Sequence, residues 1–323
     1  MRLFGGASRP RIRKVEVVAN IASGSVGPGA PDEVRAILAE FGLKARVLTP
    51  QEDGGVDACL KTALAARPDL LIVLAGDGTA RAAAEQAGPR GPLIAPLPGG
   101  TMNMLPHAIY GERRWPDALR AILTDGVEKR IAGGEVDGRL FFVAAILGQP
   151  ALWADAREAM REGDIRKAWL RGRRALSRAF TGRLRFSLDG KPREKAEALT
   201  LLCPLVSTAM ADDEGYLEAA AIDPADAREA FRLGVNALAG RWRRDPSVSV
   251  DRCKRARVWA GGRIPALLDG ESIRLGQEAS IRYRPNAFRA LAPAPTEQNE
   301  DEPKTPFAGL LKPKLMKSDS KPA

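Results

Sequence analysis

The first 130 residues alternate between short apolar runs and stretches of helical character. The apolar runs, whose length is typical of strands buried in a parallel sheet, are residues 14–20, 44–49, 71–74 and 93–97. The predicted helices are residues 32–41, 56–66, 80–86 and 115–124. Because strands and helices alternate, we predict an α/β domain with a doubly wound parallel sheet. Ligands on such sheets bind at the carboxyl ends of the strands.

From about residue 131 the pattern changes to short strands separated by turns. The predicted strands are residues 129–137, 139–147, 182–189, 197–203, 216–222, 247–251, 256–260 and 277–283. Predicted hairpin turns are Asp137-Gly138, Asp189-Gly190 and Asp269-Gly270. Two further helices are predicted at residues 153–180 and 224–239. The second part of the chain is therefore predicted to be β-rich.

These patterns predict two folded domains and a tail. We expect an α/β domain over residues 1–130 and a β-rich domain over residues 131–288. Residues 289–323 are rich in Pro, Lys, Glu and Ser, a composition that predicts disorder. The chain of 323 residues is long enough for both cores.

Charge and composition narrow the classes of partner. The formal net charge of +10 favours an anionic partner, such as a phosphate group, a membrane surface or nucleic acid. Aromatic residues make up only 5% of the chain, which argues against binding of single-stranded nucleic acid by base stacking. We therefore expect a phosphate group or a membrane surface rather than nucleic acid.

Cysteine and histidine contents exclude several kinds of site. The three cysteines are widely spaced and form no CxxC motif, which predicts reduced thiols in a cytoplasmic protein. His107 is the single histidine, so any Ser-His-Asp triad would have to use it. We find no signal peptide and no apolar run of the ~20 residues that span a bilayer. Any membrane contact is therefore expected to be peripheral.

The segment Ala75-Gly-Asp-Gly-Thr79 joins a predicted strand to a predicted helix. Its two glycines allow a tight turn and a close approach of backbone to ligand. The amides and the dipole of the following helix would favour an anion there. The alternative is a plain strand-to-helix turn capped by a polar side chain. Two more loops, residues 20–29 and 99–103, are expected at the same sheet edge.

The predicted helix at residues 153–180 lies in a strongly basic part of the chain. Residues 157–185 carry ten arginines and lysines, and Trp169 and Phe180 belong to one apolar helix face. Such a helix can lie on an anionic membrane. It can equally pack its apolar side on the sheet and leave the basic side in water. The sequence leaves both hypotheses open.

Together these motifs resemble the bacterial diacylglycerol kinase family of soluble lipid kinases. That family includes relatives of sphingosine kinases and shares a fold group with NAD kinases and phosphofructokinases. The matching positions are Asn20, Ser23, Gly24, Thr49, Gly76, Asp77, Gly78, Thr79, Gly100, Thr101, Asn103, Asp269, Gly270 and Glu271. They extend over about residues 14–285, nearly all of the predicted folded part.

The resemblance implies an ATP- and Mg²⁺-dependent transfer of phosphate to a lipid hydroxyl, such as that of diacylglycerol. The matching residues from Asn20 to Asn103 would bind ATP. Asp77, expected in an exposed loop, would organise Mg²⁺. Glu271 would be the general base, and Asp269 would orient it. The site would lie in a cleft between the two domains.

An acidic stretch resembles the structural Mg²⁺ site of the same family. Its ligand would be Asp213 or Glu214, and the alternative is an exposed acidic turn. The expected partners are a lipid substrate and, peripherally, the inner anionic membrane surface. Nucleic acid is not expected, and a homodimer is left open.

The sequence also departs from the family pattern. The departures are Ile21, Ala75, Arg81, Ala82 and Met104. Two alternative functions therefore stay open. One is a kinase of a soluble acceptor such as NAD. The other is an inactive regulator that binds nucleotide or lipid.

Overall fold

A computed structural model gives the structure of part of the chain. The described residues are 9–148, 183–207, 215–226, 228–229, 232–233, 236 and 241–294. The predicted basic helix at 153–180 and the predicted metal ligands Asp213 and Glu214 lie outside them. Within the described ranges, no helix combines the length and the apolar character that a membrane crossing requires.

A parallel sheet with helices on both faces forms the N-terminal part. Its elements are β1 (Val15–Ala19), α1 (Ala30–Glu40), β2 (Ala45–Leu48), α2 (Val56–Ala65), β3 (Leu70–Ala75), α3 (Asp77–Ala87), β4 (Leu93–Pro98), α4 (Met104–Tyr110) and α5 (Trp115–Asp125). The strand order is β2-β1-β3-β4, and all of these pairs are parallel. Every residue of β1, β3 and β4 is buried, which explains their apolar sequences.

The helices divide between two hydrophobic clusters. Helices α2 and α3 pack on one face of the sheet, and α1 and α5 pack on the other. The predicted doubly wound α/β architecture is therefore confirmed. Helix α3 begins at Asp77, earlier than predicted, so Asp77, Gly78 and Thr79 form its first turn. Helix α4 was not predicted.

Short antiparallel strands dominate the second part of the chain. They are β5 (Gly126–Val136), β6 (Arg139–Phe141), β7 (Ala144–Gly148), β8 (Leu184–Leu188), β9 (Glu194–Ala196), β10 (Ala198–Leu202), β11 (Leu217–Ile222), β12 (Val248–Cys253), β13 (Arg255–Trp259), β14 (Pro265–Leu268), β15 (Glu271–Arg274) and β16 (Glu278–Pro293). A 3₁₀ helix spans Trp242–Arg244. The prediction of a β-rich second part is confirmed.

These strands belong to two sheets. The second sheet has the order β12-β11-β10-β7-β14-β15. Strands β13, β8 and β9 instead extend the first sheet beyond β16, which itself lies beside β4. The three predicted Asp-Gly turns have positive φ at both residues, as a two-residue hairpin loop requires.

One predicted strand, residues 139–147, is divided between the two sheets. Strand β6 pairs with β5 in the first sheet, and β7 pairs with β10 and β14 in the second. Between them, the amides of Phe142, Val143 and Ala144 donate to the carboxylate of Asp269 at 2.7, 2.9 and 2.9 Å. The chain can leave the ladder here because Asp269 satisfies the amides that the break exposes.

Strand β16 continues past the predicted start of the tail. It ends at Pro293 and pairs with β5 up to that residue, so residues 289–293 are strand rather than tail. Ala290, Leu291 and Ala292 are buried. A proline- and alanine-rich segment can form a strand here because tertiary packing outweighs its weak intrinsic preference. The remaining domain boundaries stay predictions.

Candidate active site

Loops at the carboxyl ends of β1, β3 and β4 contact one another. The amide of Gly99 donates to the carbonyl of Ala75 at 3.1 Å, and the amide of Ser25 donates to the carbonyl of Gly99 at 3.1 Å. The amide of Asn20 donates to the carbonyl of Leu74 at 2.9 Å. Three loops that are distant in sequence are thus held together at one edge of the sheet. We call this place the loop junction.

Absent side chains allow these loops to approach closely. A Cβ on Gly100 would lie 2.7 Å from Cα of Gly76, and a Cβ on Gly24 would lie 3.3 Å from Oγ1 of Thr101. The first distance is shorter than real Cβ contacts and involves backbone, so neither loop could yield cheaply. Glycine at position 100 is therefore a steric requirement of the loop junction.

Asn103 shapes the third loop through its side chain. It has a left-handed backbone with φ of 51°, which asparagine tolerates better than most residues. Its Oδ1 accepts from the amide of Gly100 at 2.7 Å, and its Nδ2 donates to the carbonyl of Gly100 at 2.9 Å. Predicted as an ATP-binding residue, Asn103 thus lies at the predicted place, with its polar atoms engaged by its own loop.

The other predicted ATP-binding side chains lie around the same edge. Oδ1 of Asn20 accepts from the amide of Ala22 at 3.2 Å and from Nε2 of Gln51 at 2.8 Å. Thr49 is buried, and its hydroxyl donates to Glu52 at 2.9 Å. Ser23 donates its amide to the carbonyl of Asn20 at 2.9 Å. The amides of Glu52 and Asp53 donate to the carbonyl of Thr49 at 3.0 and 2.9 Å, so local hydrogen bonds hold both loops.

Asp77 lies in the first turn of α3 rather than in an exposed loop. Its Oδ1 accepts from the amide of Leu105 at 3.1 Å and so caps the start of α4. Burial raises the pKa of Asp77, and hydrogen bonds from the α4 backbone oppose that rise. The expectation of an exposed loop is wrong, because α4 packs against the first turn of α3. Asp77 therefore links the first turn of α3 to the start of α4.

Glu271 reaches the loop junction from the second sheet. It is the first residue of β15, and its Oε2 accepts from Nη2 of Arg81 on α3. Its Oε1 occupies the space that a Cβ on Gly78 would need. The Glu271 side chain is 44% exposed and that of Arg81 is 17% exposed. Arg81 therefore holds one side of the Glu271 side chain, and the other side is exposed to solvent.

Asp269 is close to Glu271 in sequence but has other partners. It is buried, and its carboxylate accepts the three amides between β6 and β7. Burial raises the pKa of Asp269 to about 6, because desolvation outweighs those hydrogen bonds. Its contacts position the hairpin between β14 and β15 rather than the Glu271 side chain. Any orienting effect on Glu271 would pass through the backbone.

The raised pKa predicts a pH-dependent contribution of Asp269 to stability. A carboxyl with a higher pKa when folded binds its proton more tightly in the folded state, so its contribution falls as pH rises from 3.8 to about 6. We expect the stability advantage of the wild type over Asp269→Asn to shrink by about 3 kcal/mol over that range. Denaturant unfolding at several pH values measures it. An advantage that grows with pH would mean that the amides hold the carboxylate ionised.

Two of the departures from the family pattern lie at the same contact. Arg81 pairs with Glu271, and the sulfur of Met104 would lie 3.4 Å from a Cβ on Gly270. From the sequence both residues were known only as departures from the family pattern, and their contacts were not predicted. No local signal could have found the pairing, because Arg81 and Glu271 are 190 positions apart.

No metal site is evident in the part of the chain that the structure describes. No group of three or more His, Cys, Asp or Glu residues there is arranged to hold an ion. The predicted ligands Asp213 and Glu214 are outside that part. Asp77 and Glu271 are the carboxylates that the structure places at the first turn of α3.

Known proteins resemble this chain in sequence and in fold. Residues 14–136 match the model of the diacylglycerol kinase catalytic domain. A diacylglycerol kinase from Bacillus anthracis superposes with a TM-score of 0.62 at 16% identity, covering 88% of this chain and 98% of its own. A presumed diacylglycerol kinase from the same organism gives 0.66 at 19% identity, with the same coverage.

A more distant structure and a negative result complete the comparison. An NAD kinase from Archaeoglobus fulgidus, in complex with ATP, has a TM-score of 0.49 at 11% identity, covering 86% of this chain and 94% of its own. No curated protein sequence matches the chain. The expected resemblance is confirmed by the family match and by the shared fold. Residues 14–136 are therefore similar to the catalytic domain of diacylglycerol kinases, a family of phosphotransferases.

Proposed function

We propose that this protein is an ATP-dependent lipid kinase that phosphorylates a lipid hydroxyl, such as that of diacylglycerol. One observation carries the proposal: Glu271, from the second sheet, lies against Gly78 in the first turn of α3, beside the loop junction. A carboxylate and the glycine-rich turn proposed to bind phosphate, from two parts of the chain, thereby lie side by side. Phosphoryl transfer needs this kind of positioning more than covalent chemistry.

The first turn of α3 and the loop junction support binding of the ATP phosphates. The first amides of a helix have no acceptor inside the helix, and the helix dipole adds positive potential there. Gly76 has no side chain, so phosphate oxygens can approach the backbone there, whereas the space beside Gly78 is taken by Oε1 of Glu271. Thr101 is exposed beside Gly24, where its hydroxyl could donate to the same phosphates.

Asp77 is the carboxylate best placed to hold Mg²⁺ with the phosphates. It begins α3, one of its oxygens caps α4, and the residue as a whole is partly exposed. Mg²⁺ usually keeps several waters and takes one or two carboxylates from the protein, so one aspartate at this place fits it. When bound, the ion neutralises charge on the phosphates.

Glu271 would remove the proton of the acceptor hydroxyl. As the acceptor oxygen bonds to the γ-phosphorus, the bond to the oxygen that bridges the β- and γ-phosphates breaks, and ADP leaves. The acceptor's proton passes to the Glu271 carboxylate. The 44% exposure of this side chain leaves room for a hydroxyl beside it.

A lipid acceptor and a peripheral membrane contact complete the proposal. The net charge of +10 would attract the anionic inner face of a membrane. We expect the purified protein to transfer label from γ-labelled ATP to diacylglycerol in phosphatidylglycerol vesicles. Incorporation into NAD instead would identify a soluble acceptor and contradict the lipid proposal.

A second candidate function is an inactive regulator that binds nucleotide or lipid. The ion pair between Arg81 and Glu271 favours it, because the guanidinium occupies one oxygen of the proposed base. Binding of ATP to the protein without label transfer to any lipid in an extract would establish this second function.

The Gly78→Ala variant is a sharp test of the Glu271 position. The new Cβ would overlap Oε1 of Glu271, whose flexible side chain can move away. Alanine also favours the helix by up to about 1 kcal/mol over glycine. We therefore expect an equally or more stable protein whose turnover falls at least tenfold, since displacing one reacting group by about 1 Å can cost ~10².

Ala83→Gly is the matched control for that variant. Ala83 lies in the buried face of α3, so this change lowers stability and adds no atom in the space that Oε1 of Glu271 fills. Thermal unfolding and label transfer, measured on both variants, separate stability from activity. Normal turnover in Gly78→Ala would show that the observed place of Glu271 is not the reactive one.

A further inference from the structure

Helix α3 presents two features side by side to the Glu271 carboxylate. Gly78 and Arg81 are three residues apart and therefore share a helix face. Oε1 of Glu271 lies in the space left by the missing side chain of Gly78, and Oε2 accepts from the guanidinium of Arg81. A single carboxylate thus makes both contacts, and together they fix the orientation of the Glu271 side chain.

Arg81 is the more buried partner of this pair. Its side chain is 17% exposed, although a guanidinium is costly to remove from water, while that of Glu271 is 44% exposed. Burial of a whole ion pair adds little to stability, because the cost of desolvating both charges offsets their attraction. Here only the guanidinium is largely buried, and the carboxylate keeps an exposed side.

The backbone beneath Glu271 is fixed separately. Asp269 anchors one end of the hairpin through the amides of Phe142, Val143 and Ala144. The sulfur of Met104 lies near Gly270 at the tip of the turn, 3.4 Å from where a Cβ would stand. Strand β15 is at the edge of its sheet and has a partner strand on one side only. Side-chain contacts must therefore hold its other side in place.

We infer that Arg81 is the positioning residue of Glu271, holding the carboxylate at the first turn of α3 for proton transfer. The inference rests on the proposed function. It assigns Arg81 a role through Glu271 and none in direct phosphate binding. The pairing joins the nucleotide-binding sheet to the hairpin that carries the base.

The kinetic test compares Arg81→Ala, Arg81→Lys, Glu271→Gln and the double variant Arg81→Ala/Glu271→Gln. The assay uses γ-labelled ATP and diacylglycerol in phosphatidylglycerol vesicles. We expect Arg81→Ala to lower kcat by about tenfold or more, as loss of a charged hydrogen bond implies, with KM for ATP unchanged. Arg81→Lys keeps the charge and should recover part of the loss. Arg81→Ala should cost nothing further once Glu271 is Gln.

Several results would overturn the inference. A higher KM for ATP in Arg81→Ala, with losses that multiply in the double variant, would mean that Arg81 binds phosphate itself. An increased kcat would mean that Arg81 restrains the base. Arg120→Ala, which removes a comparable Arg–Glu pair between α5 and α1, is the control and should leave kcat unchanged.

Hydrogen exchange without substrate separates this inference from the proposed function. We expect Arg81→Ala, and not Arg120→Ala, to raise exchange of the β15 amides about tenfold. The β1 amides report global stability and should not change. Faster β15 exchange in a protein without kinase activity would sink the proposed function and leave the positioning contact standing. Unchanged exchange in an active kinase would sink the positioning role alone.

Discussion

Glu271→Gln is expected to lower turnover by about 10²–10⁴, the usual contribution of one positioned proton acceptor. Glutamine keeps the shape of the side chain, and its carbonyl oxygen can still accept from Arg81. It cannot take up the proton of an acceptor hydroxyl. KM for ATP should change little, because the loops proposed to bind phosphate follow strands of the first sheet. Label transfer from ATP to vesicle diacylglycerol measures the loss.

Glu40→Gln is the matched control, since Glu40 also pairs with an arginine but lies on α1. It should retain full turnover. Normal turnover in Glu271→Gln would exclude Glu271 as the base. Loss of ATP binding together with turnover would instead indicate a metal-binding or structural role for Glu271.

Asp77→Asn is expected to lower turnover by about 10²–10³, as loss of one electrostatic contact to a reacting group typically does. Asparagine can still accept the amide of Leu105, so the start of α4 should stay capped. Burial raises the pKa of Asp77, so the uncharged residue should not destabilise the fold and is expected to stabilise it slightly. Turnover at increasing Mg²⁺ and thermal unfolding measure the two effects.

Comparison of Asp77→Ala with Asp77→Asn distinguishes the effect of the Asp77 charge from that of the hydrogen bond that caps α4. Asp77→Asn removes only the charge. Asp77→Ala removes both, so we expect the same loss of turnover with a further loss of stability of about 1 kcal/mol. Asp117→Asn, in the first turn of α5, controls for removal of a helix N-terminal charge. Wild-type turnover in Asp77→Asn at low Mg²⁺ would remove Asp77 from the proposed nucleotide site.

The sequence by itself determined the N-terminal architecture. Strands such as β3 are apolar along their whole length because both faces are covered, and that pattern is visible without a structure. Glycine turns at positions 76–78 and 99–100 follow two of those strands directly. Since parallel strands end at one edge, the sequence was enough to place these loops together.

Local patterns did not determine where the chain changes sheets. Residues 139–147 form one apolar run, yet β6 and β7 belong to different sheets. The break depends on Asp269, more than 120 residues away, whose carboxylate accepts the released amides. Strand β16 likewise extends to Pro293 because β5 lies beside it. Such partners follow from tertiary packing alone.

The candidate site, like the fold, was determined partly by the sequence and partly by the tertiary structure. The family resemblance, carried by residue types and their spacing, identified Asp77 and Glu271 as the candidate acids of the site. Only the tertiary structure decided that Asp77 caps α4. It also decided that Glu271 pairs with Arg81 and lies against Gly78. The physical reason is that a carboxylate's partners depend on distances in space, which no spacing along the chain encodes.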